Sequence, residues 1–129
     1  MKRILVIDDD KLFQRAIAFR LKDTGYDVIT ADDAFQALEL IDKYKIDGVV
    51  SDIMMPDISG LSLLSLLKKF YYNRIPVIII SSLGQEKAEA ISLNLGAYAF
   101  IPKPIDFDEL VVHVNDMIRI AQEKLDQQS

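Results

Sequence analysis

Five short apolar runs rich in β-branched or aromatic residues alternate with longer segments whose apolar positions fall three and four apart. The runs are Ile4 to Ile7, Tyr26 to Thr30, Ile46 to Val50, Pro76 to Ile80 and Ala97 to Ile101, and each predicts a strand. Leu12, Phe13, Ala16, Ile17 and Leu21 form one helical stripe. Ala37, Leu38, Ile41 and Tyr44 form another, and Leu110, Val111, Val114, Met117, Ile118 and Ala121 a third. Leu61 to Phe70 reads as a mostly buried helix that leaves Phe70, Tyr71 and Tyr72 as partner surface. Gly25 and Gly96 stand where helices should end. Asp10 suits the N-cap of the first helix, and Asp106 with Glu109 makes a capping box for the last. Gln122 to Ser129 predicts a fraying polar tail on a domain of residues 1–121.

Nearly continuous apolar strands joined by helical crossovers imply a parallel sheet covered on both faces, so the expected fold is α/β and doubly wound. The spacing of the units also admits a leucine-rich repeat. Leu61 to Leu67 lack the asparagine ladder of that repeat, however, and the pattern does not recur. At 129 residues the chain is one domain of the usual ~150-residue scale. Fifteen basic against twenty acidic side chains leave a net charge of −5, which argues against direct nucleic-acid or anionic-membrane binding. The absence of cysteine removes thiolate metal sites and cysteine nucleophiles. With no signal-like start and no run near ~18 apolar residues, the expected setting is cytoplasmic.

In an open parallel sheet, ligands sit beyond the carboxyl ends of the strands. Asp8, Asp9 and Asp10 follow the first predicted strand, Ser51 and Asp52 the third, Ser81 and Ser82 the fourth, and Pro102, Lys103 and Pro104 the fifth. The second offers only the loop acids Asp32 and Asp33. If the first, third, fourth and fifth strands are neighbours, these groups meet in one crevice. Clustered carboxylates repel by about 4 kcal/mol per pair at ~4 Å, so they need a cation or protons. Oxygen-only donors select a hard ion such as Mg²⁺, or Mn²⁺ in its place. Such a site attracts an anion. Lys103 and the Ser81 hydroxyl suit phosphoryl oxygens, and Asp52 is placed to attack phosphorus.

These residues resemble the receiver domain of bacterial two-component response regulators along essentially the whole chain, in the single-domain manner of the chemotaxis regulator. The matching segments are Ile4 to Asp10, Asp52 to Asp57 with Gly60, Pro76 to Ser81, and Lys103-Pro104 after Gly96. Four ordered motifs at compatible spacings are far more specific than any one alone. The resemblance implies a flavodoxin-like (βα)5 fold with five parallel strands in the order 2-1-3-4-5. It implies that Asp52 accepts a phosphoryl group from a phosphohistidine on a sensor histidine kinase or histidine phosphotransfer protein. Asp9 would ligate Mg²⁺ directly, Asp8 through water, Asp52 as a second carboxylate and Met54 through its backbone carbonyl. Lys103 would pair with the phosphoryl oxygens. Ser81 and Phe100 take the switch positions, which bias a face made by the fourth helix, fifth strand and fifth helix toward a downstream protein. The Lys103-Pro104 bond is expected to be cis. Met54 and Leu83 occupy the positions that tune hydrolysis, and neither holds a water strongly, which predicts a long-lived phosphorylated state.

Several residues carry plainer readings. Asp57 decorates an exposed loop, Asp33 sits in a left-handed turn that Asp tolerates, and His113 lies off the apolar stripe of the last helix. Pro102 removes a donor at the end of the fifth strand. A haloacid-dehalogenase-like phosphatase would also use an aspartate, Mg²⁺ and a lysine. Its first motif fails at Leu12, however, and its later acid pair is absent. A nucleotide-binding module lacks a glycine-rich loop, and a pure docking module would not need every chemical position filled. With no effector domain in the sequence, the output falls to another protein unless the chain is part of something longer. The last helix lacks the arginines of the dimerising transcription-factor subfamily, so a monomer is expected before phosphorylation.

Overall fold

The computed structural model describes residues 1–55, 57–70, 74–82 and 85–128. The elements alternate as β1 (Arg3–Ile7), α1 (Lys11–Thr24), β2 (Asp27–Ala31), α2 (Ala34–Lys43), β3 (Gly48–Asp52), α3 (Gly60–Phe70), β4 (Val77–Ser81), α4 (Gln85–Asn94), β5 (Ala99–Pro102) and α5 (Phe107–Gln128). The strands pair in parallel in the order β2-β1-β3-β4-β5. This is the five-stranded, flavodoxin-like arrangement expected.

Both faces of the sheet are covered, which is why its strands read as unbroken apolar runs rather than alternating ones. Leu5, Ile7, Val49, Val77, Ile79 and Phe100 point into a core shared with α2, α3 and α4. Ile4, Val6, Val50, Ile78, Ile80 and Ile101 point into a second core, shared with α1 and α5. Fully burying one such side chain contributes roughly 1.5–3 kcal/mol. The two layers therefore fix the strand ends from which the polar residues project.

The last four strands lie one or two residues later than their apolar runs, whereas β1 ends with its run at Ile7. Ser51 and Asp52 close β3, Ser81 closes β4 and Pro102 closes β5, where the sequence pattern assigns them to loops. The cause is the ladder itself: Asp52 is in register with Ile80 and Ser81 with Pro102, and backbone pairing continues beneath side chains that have turned polar. Asp52 and Ser81 consequently stand on rigid strand rather than on loop.

Helix ends account for other details. Gly25 and Gly96 have φ of 114° and 103°, the left-handed values that favour glycine at a helix end. Asp10 caps α1 by accepting from the amides of Leu12 and Phe13 at 3.1 and 3.2 Å. Asp106 accepts from the amides of Asp108 and Glu109, while the Glu109 carboxylate lies 3.6 Å from Nε2 of the half-buried His113. Asp33 is not in a left-handed turn. Its φ of −152° is extended, and its carboxylate caps α2 through the Gln36 amide at 2.8 Å. Nor does α5 fray at Gln122: the helix runs to Gln128, and the Gln122 side chain accepts from Lys2 Nζ at 2.7 Å.

Candidate functional site

Asp8 follows β1 directly and is 2% exposed. Its Oδ1 accepts from the Asp10 amide at 2.9 Å. Asp52, at the end of the neighbouring β3, is 8% exposed, and Asp9 beside them is open to solvent. One carboxylate oxygen from each of the three lies within 4.8 Å of the others. At that spacing each charged pair repels by roughly 3–4 kcal/mol at an effective dielectric of ~20. Burial pushes the Asp8 carboxyl above its ordinary value and the neighbouring Asp52 charge adds to the rise, against the opposing pull of the Asp10 amide and Lys103. A carboxylate triad with two buried members and oxygen donors alone is short of positive charge, so it fits a hard divalent cation.

Lys103 supplies part of what is missing. Its Nζ stands 3.4 Å from Asp8 Oδ2 and 3.4 Å from Asp52 Oδ2, a shared position longer than a tight charge-assisted hydrogen bond. The Lys103 amide donates to the Ser81 carbonyl at 2.8 Å, and the following bond to Pro104 is cis as expected. Ser81 is fully buried and Phe100 is 8% exposed; the latter shares the α2-α3-α4 core with Ala88 of α4. The Met54 side chain is 57% exposed, and its amide lies 3.4 Å from Asp52 Oδ1. Leu83 lies outside the described residues, as do Pro56, Tyr71 and Tyr72. Asp8, Asp9, Asp52, Ser81, Lys103 and Met54 thus gather at the carboxyl ends of β1, β3, β4 and β5, while Phe100 lies beneath them.

Three further residues shape the site. The buried Gln14 of α1 uses its Nε2 to reach the carbonyls of Asp8 and Ala31, each at 2.9 Å, and Asp32 Oδ1 at 3.0 Å. It ties the ends of β1 and β2 together beneath the acids. Phe13, one residue earlier, places its ring 4.3 Å from Lys103 Nζ. In the sequence Phe13 is only one of a helical stripe, and Gln14 a polar residue where that helix meets the sheet; a polar side chain on the buried side of α1 was the available signal. Asp57 does more than decorate a loop. Its carboxylate accepts from the amides of Ala34, Phe35 and Ile58, which pins the loop after β3 to the start of α2. Burial works to raise the Asp57 carboxyl, yet these backbone donors together hold it below its ordinary value.

A model of the response regulator receiver domain family matches residues 4–115. The chain is 35% identical over 116 residues to the probable transcriptional regulator ycf29 of Porphyra purpurea, covering 89% of this chain and 56% of that protein. It is also 35% identical over 119 residues to the transcriptional regulatory protein CpxR of Escherichia coli K12, covering 92% of this chain and 50% of that protein. The chain spans about half the length of these curated relatives. Among solved structures, the receiver domain of Francisella response regulator 1452 matches with a TM-score of 0.87 at 35% identity, over 92% of this chain and 98% of that one. The CheY-like receiver domain protein from Methanospirillum hungatei JF-1 matches with a TM-score of 0.89 at 27% identity, over 96% and 98%. With its acidic cluster at the expected edge of a 2-1-3-4-5 sheet, this chain belongs to the response regulator receiver domains, the phosphorelay signalling modules of two-component systems.

Proposed function

We propose that Asp52 is the phosphoacceptor, and that the reaction depends on a divalent ion held by Asp8, Asp9, Asp52 and the Met54 carbonyl, with Asp8 acting through water. The observation that carries this reading is the convergence of three carboxylates and one lysine at a single strand edge. When bound, Mg²⁺ or Mn²⁺ supplies positive charge that draws in the phosphoryl oxygens and offsets the charge of the transition state. A carboxylate oxygen of Asp52 attacks phosphorus, the phosphorus-nitrogen bond of a partner phosphohistidine breaks, and the imidazole leaves. A carboxylate attacks through a lone pair and has no proton to surrender, so no general base is needed. Lys103 stabilises the phosphoryl oxygens as a point charge and the Ser81 hydroxyl donates to another. The chain is modified once per molecule and does not turn over external esters. Asp10, which a phosphatase of the haloacid-dehalogenase type would use as an acid, is committed to capping α1.

The signal passes through Ser81 and Phe100 to the face of α4, β5 and α5. Of residues 86–94 in α4, only Ala88 and Ser92 are buried, so little apolar surface holds this helix down and a small bias can move it. A sensor kinase or phosphotransfer protein loads the site in the cytoplasm, and a separate protein or region reads the face. The receiver unit is residues 1–121, with residues 122–129 its polar end, and it is a monomer before phosphorylation. Met54 offers no strong hydrogen bond to an attacking water and Leu83 none either, so the phosphorylated state lasts minutes rather than seconds.

Chemical mapping tests the assignment. After incubation with acetyl phosphate and Mg²⁺, borohydride reduces an aspartyl phosphate to homoserine. Homoserine at position 52 alone is expected; homoserine at another aspartate overturns the reading.

A further inference from the structure

Lys103 is held on three sides. Two are the carboxylates of Asp8 and Asp52, each 3.4 Å from Nζ. The third is the ring of Phe13, whose centroid lies 4.3 Å from the same nitrogen, well inside the ~6 Å reach of a cation-π contact. The ring is itself braced by Phe107, the first residue of α5, at a centroid separation of 6.4 Å and an interplanar angle of 52°. Phe107 lies four residues beyond Lys103, so the lysine, the ring on α1 and the start of α5 close into one small unit.

The three supports differ in kind. A bound metal ion would offset the charge of Asp8 and Asp52, and phosphorylation converts the Asp52 carboxylate to an acyl phosphate, so either event changes the pull on the ammonium. The Phe13 ring is changed by neither. We infer that Phe13 is a positioning residue that holds the Lys103 ammonium over the site while its carboxylate partners are engaged elsewhere. This rests on the phosphoacceptor reading above. The ring occupies one side of the ammonium and leaves its N-H donors for phosphoryl oxygens, so placement is retained without a competing acceptor.

Two readouts on the full chain test this. In the first, uptake of a phosphoryl group from acetyl phosphate is followed by intact mass for wild type, Phe13→Leu, Phe13→Tyr, Lys103→Met and the Phe13→Leu/Lys103→Met double variant. Leucine keeps the apolar contact without the π face and should slow uptake about fivefold, at an unchanged half-saturating Mg²⁺ concentration. Tyrosine should restore most of the rate, and in the Lys103→Met background Phe13→Leu should slow nothing further. Equal slowing in both backgrounds, or none in either, overturns the inference.

The second readout is the NMR signal of the Lys103 ε-methylene, which a ring 4.3 Å from Nζ shifts upfield. The shift should be present in wild type with and without Mg²⁺, present in Phe13→Tyr and lost in Phe13→Leu. Its disappearance from wild type on adding Mg²⁺ would equally defeat the proposal. If wild type takes up no phosphoryl group, the phosphoacceptor reading fails, and the NMR signal still decides where Phe13 holds the lysine.

Discussion

Lys103 Nζ lies at the same distance, 3.4 Å, from Asp8 Oδ2 and from Asp52 Oδ2, so one ammonium is divided between two buried carboxylates of adjacent strands. A single positive charge cannot neutralise both, and Asp8 carries the strain: its carboxyl is raised chiefly by burial. A group whose folded value is raised binds protons more readily in the folded state, so its contribution to stability declines as pH climbs from the unfolded value through the folded one. Asp8→Asn is therefore expected to stabilise the metal-free protein at neutral pH by roughly 1 kcal/mol, a common return for relieving a functional site. Mg²⁺ should raise the melting temperature of wild type and leave that of the variant unmoved. Thermal melts in EDTA and in Mg²⁺ check both statements.

Gly60 begins α3 where the chain passes the end of β3, and a Cβ built there would lie 2.1 Å from the Asp52 carbonyl oxygen. The Gly60 amide also donates to Ile53 at 2.8 Å, so the two segments cannot simply part. Gly60→Ala should cost about 1–3 kcal/mol as an overpacked contact. It should also slow phosphoryl uptake, because the backbone it displaces carries the acceptor. Urea melts and uptake rates measured on one preparation would separate the two effects.

Gln14 donates to two backbone carbonyls beneath the acids, of which that of Ala31 also accepts from the Asp8 amide at 3.1 Å. Gln14→Leu keeps the bulk and removes the side-chain donor to the buried Asp8 carbonyl, and a loss of about 1–3 kcal/mol is expected. Apparent Mg²⁺ affinity should weaken as well, since the Asp8 backbone is one end of the tie. Unchanged stability in denaturant would contradict this role.

The loop after β3 is secured by Asp57 to the first amides of α2. Its carboxyl sits below its ordinary value because the backbone donors outweigh the opposing effect of burial. A depressed value gives stability that is present above the unfolded pKa and lost as pH falls through the folded one. Asp57 is open to solvent, which screens these contacts, so Asp57→Ala should cost only about 0.5 kcal/mol near neutral pH. The difference from wild type should shrink only below the ordinary carboxylate value of 3.8. A gap that closes between pH 7 and 5 would exclude this cause.

Much of the architecture was legible because the strands are nearly continuous apolar runs, a pattern that a covered parallel sheet explains. The strand ends were less so. Asp52 and Ser81 are polar by side chain yet paired through backbone, and hydropathy reports the first property alone. Asp33 is extended rather than left-handed, and Asp57 is in an exposed loop as expected but also caps α2; an acid in a loop gives no sign of which amides it will meet. Phe13 and Gln14 act across α1 on residues of other elements, a relation set by packing rather than by local pattern. The meeting of Asp8, Asp9, Asp52 and Lys103 at one edge of the sheet was readable because each closes a strand or follows one within two residues, and the fold dictates which strands are neighbours.

The central claim is that Asp52 takes up one phosphoryl group in a metal-dependent reaction. Intact-mass analysis after incubation with acetyl phosphate, with and without Mg²⁺ and beside Asp52→Ala, measures it directly. The account predicts a single phosphoryl adduct on wild type that requires Mg²⁺ and is absent from the variant. An unmodified wild-type protein with its fold intact, or an adduct that survives Asp52→Ala, would contradict it.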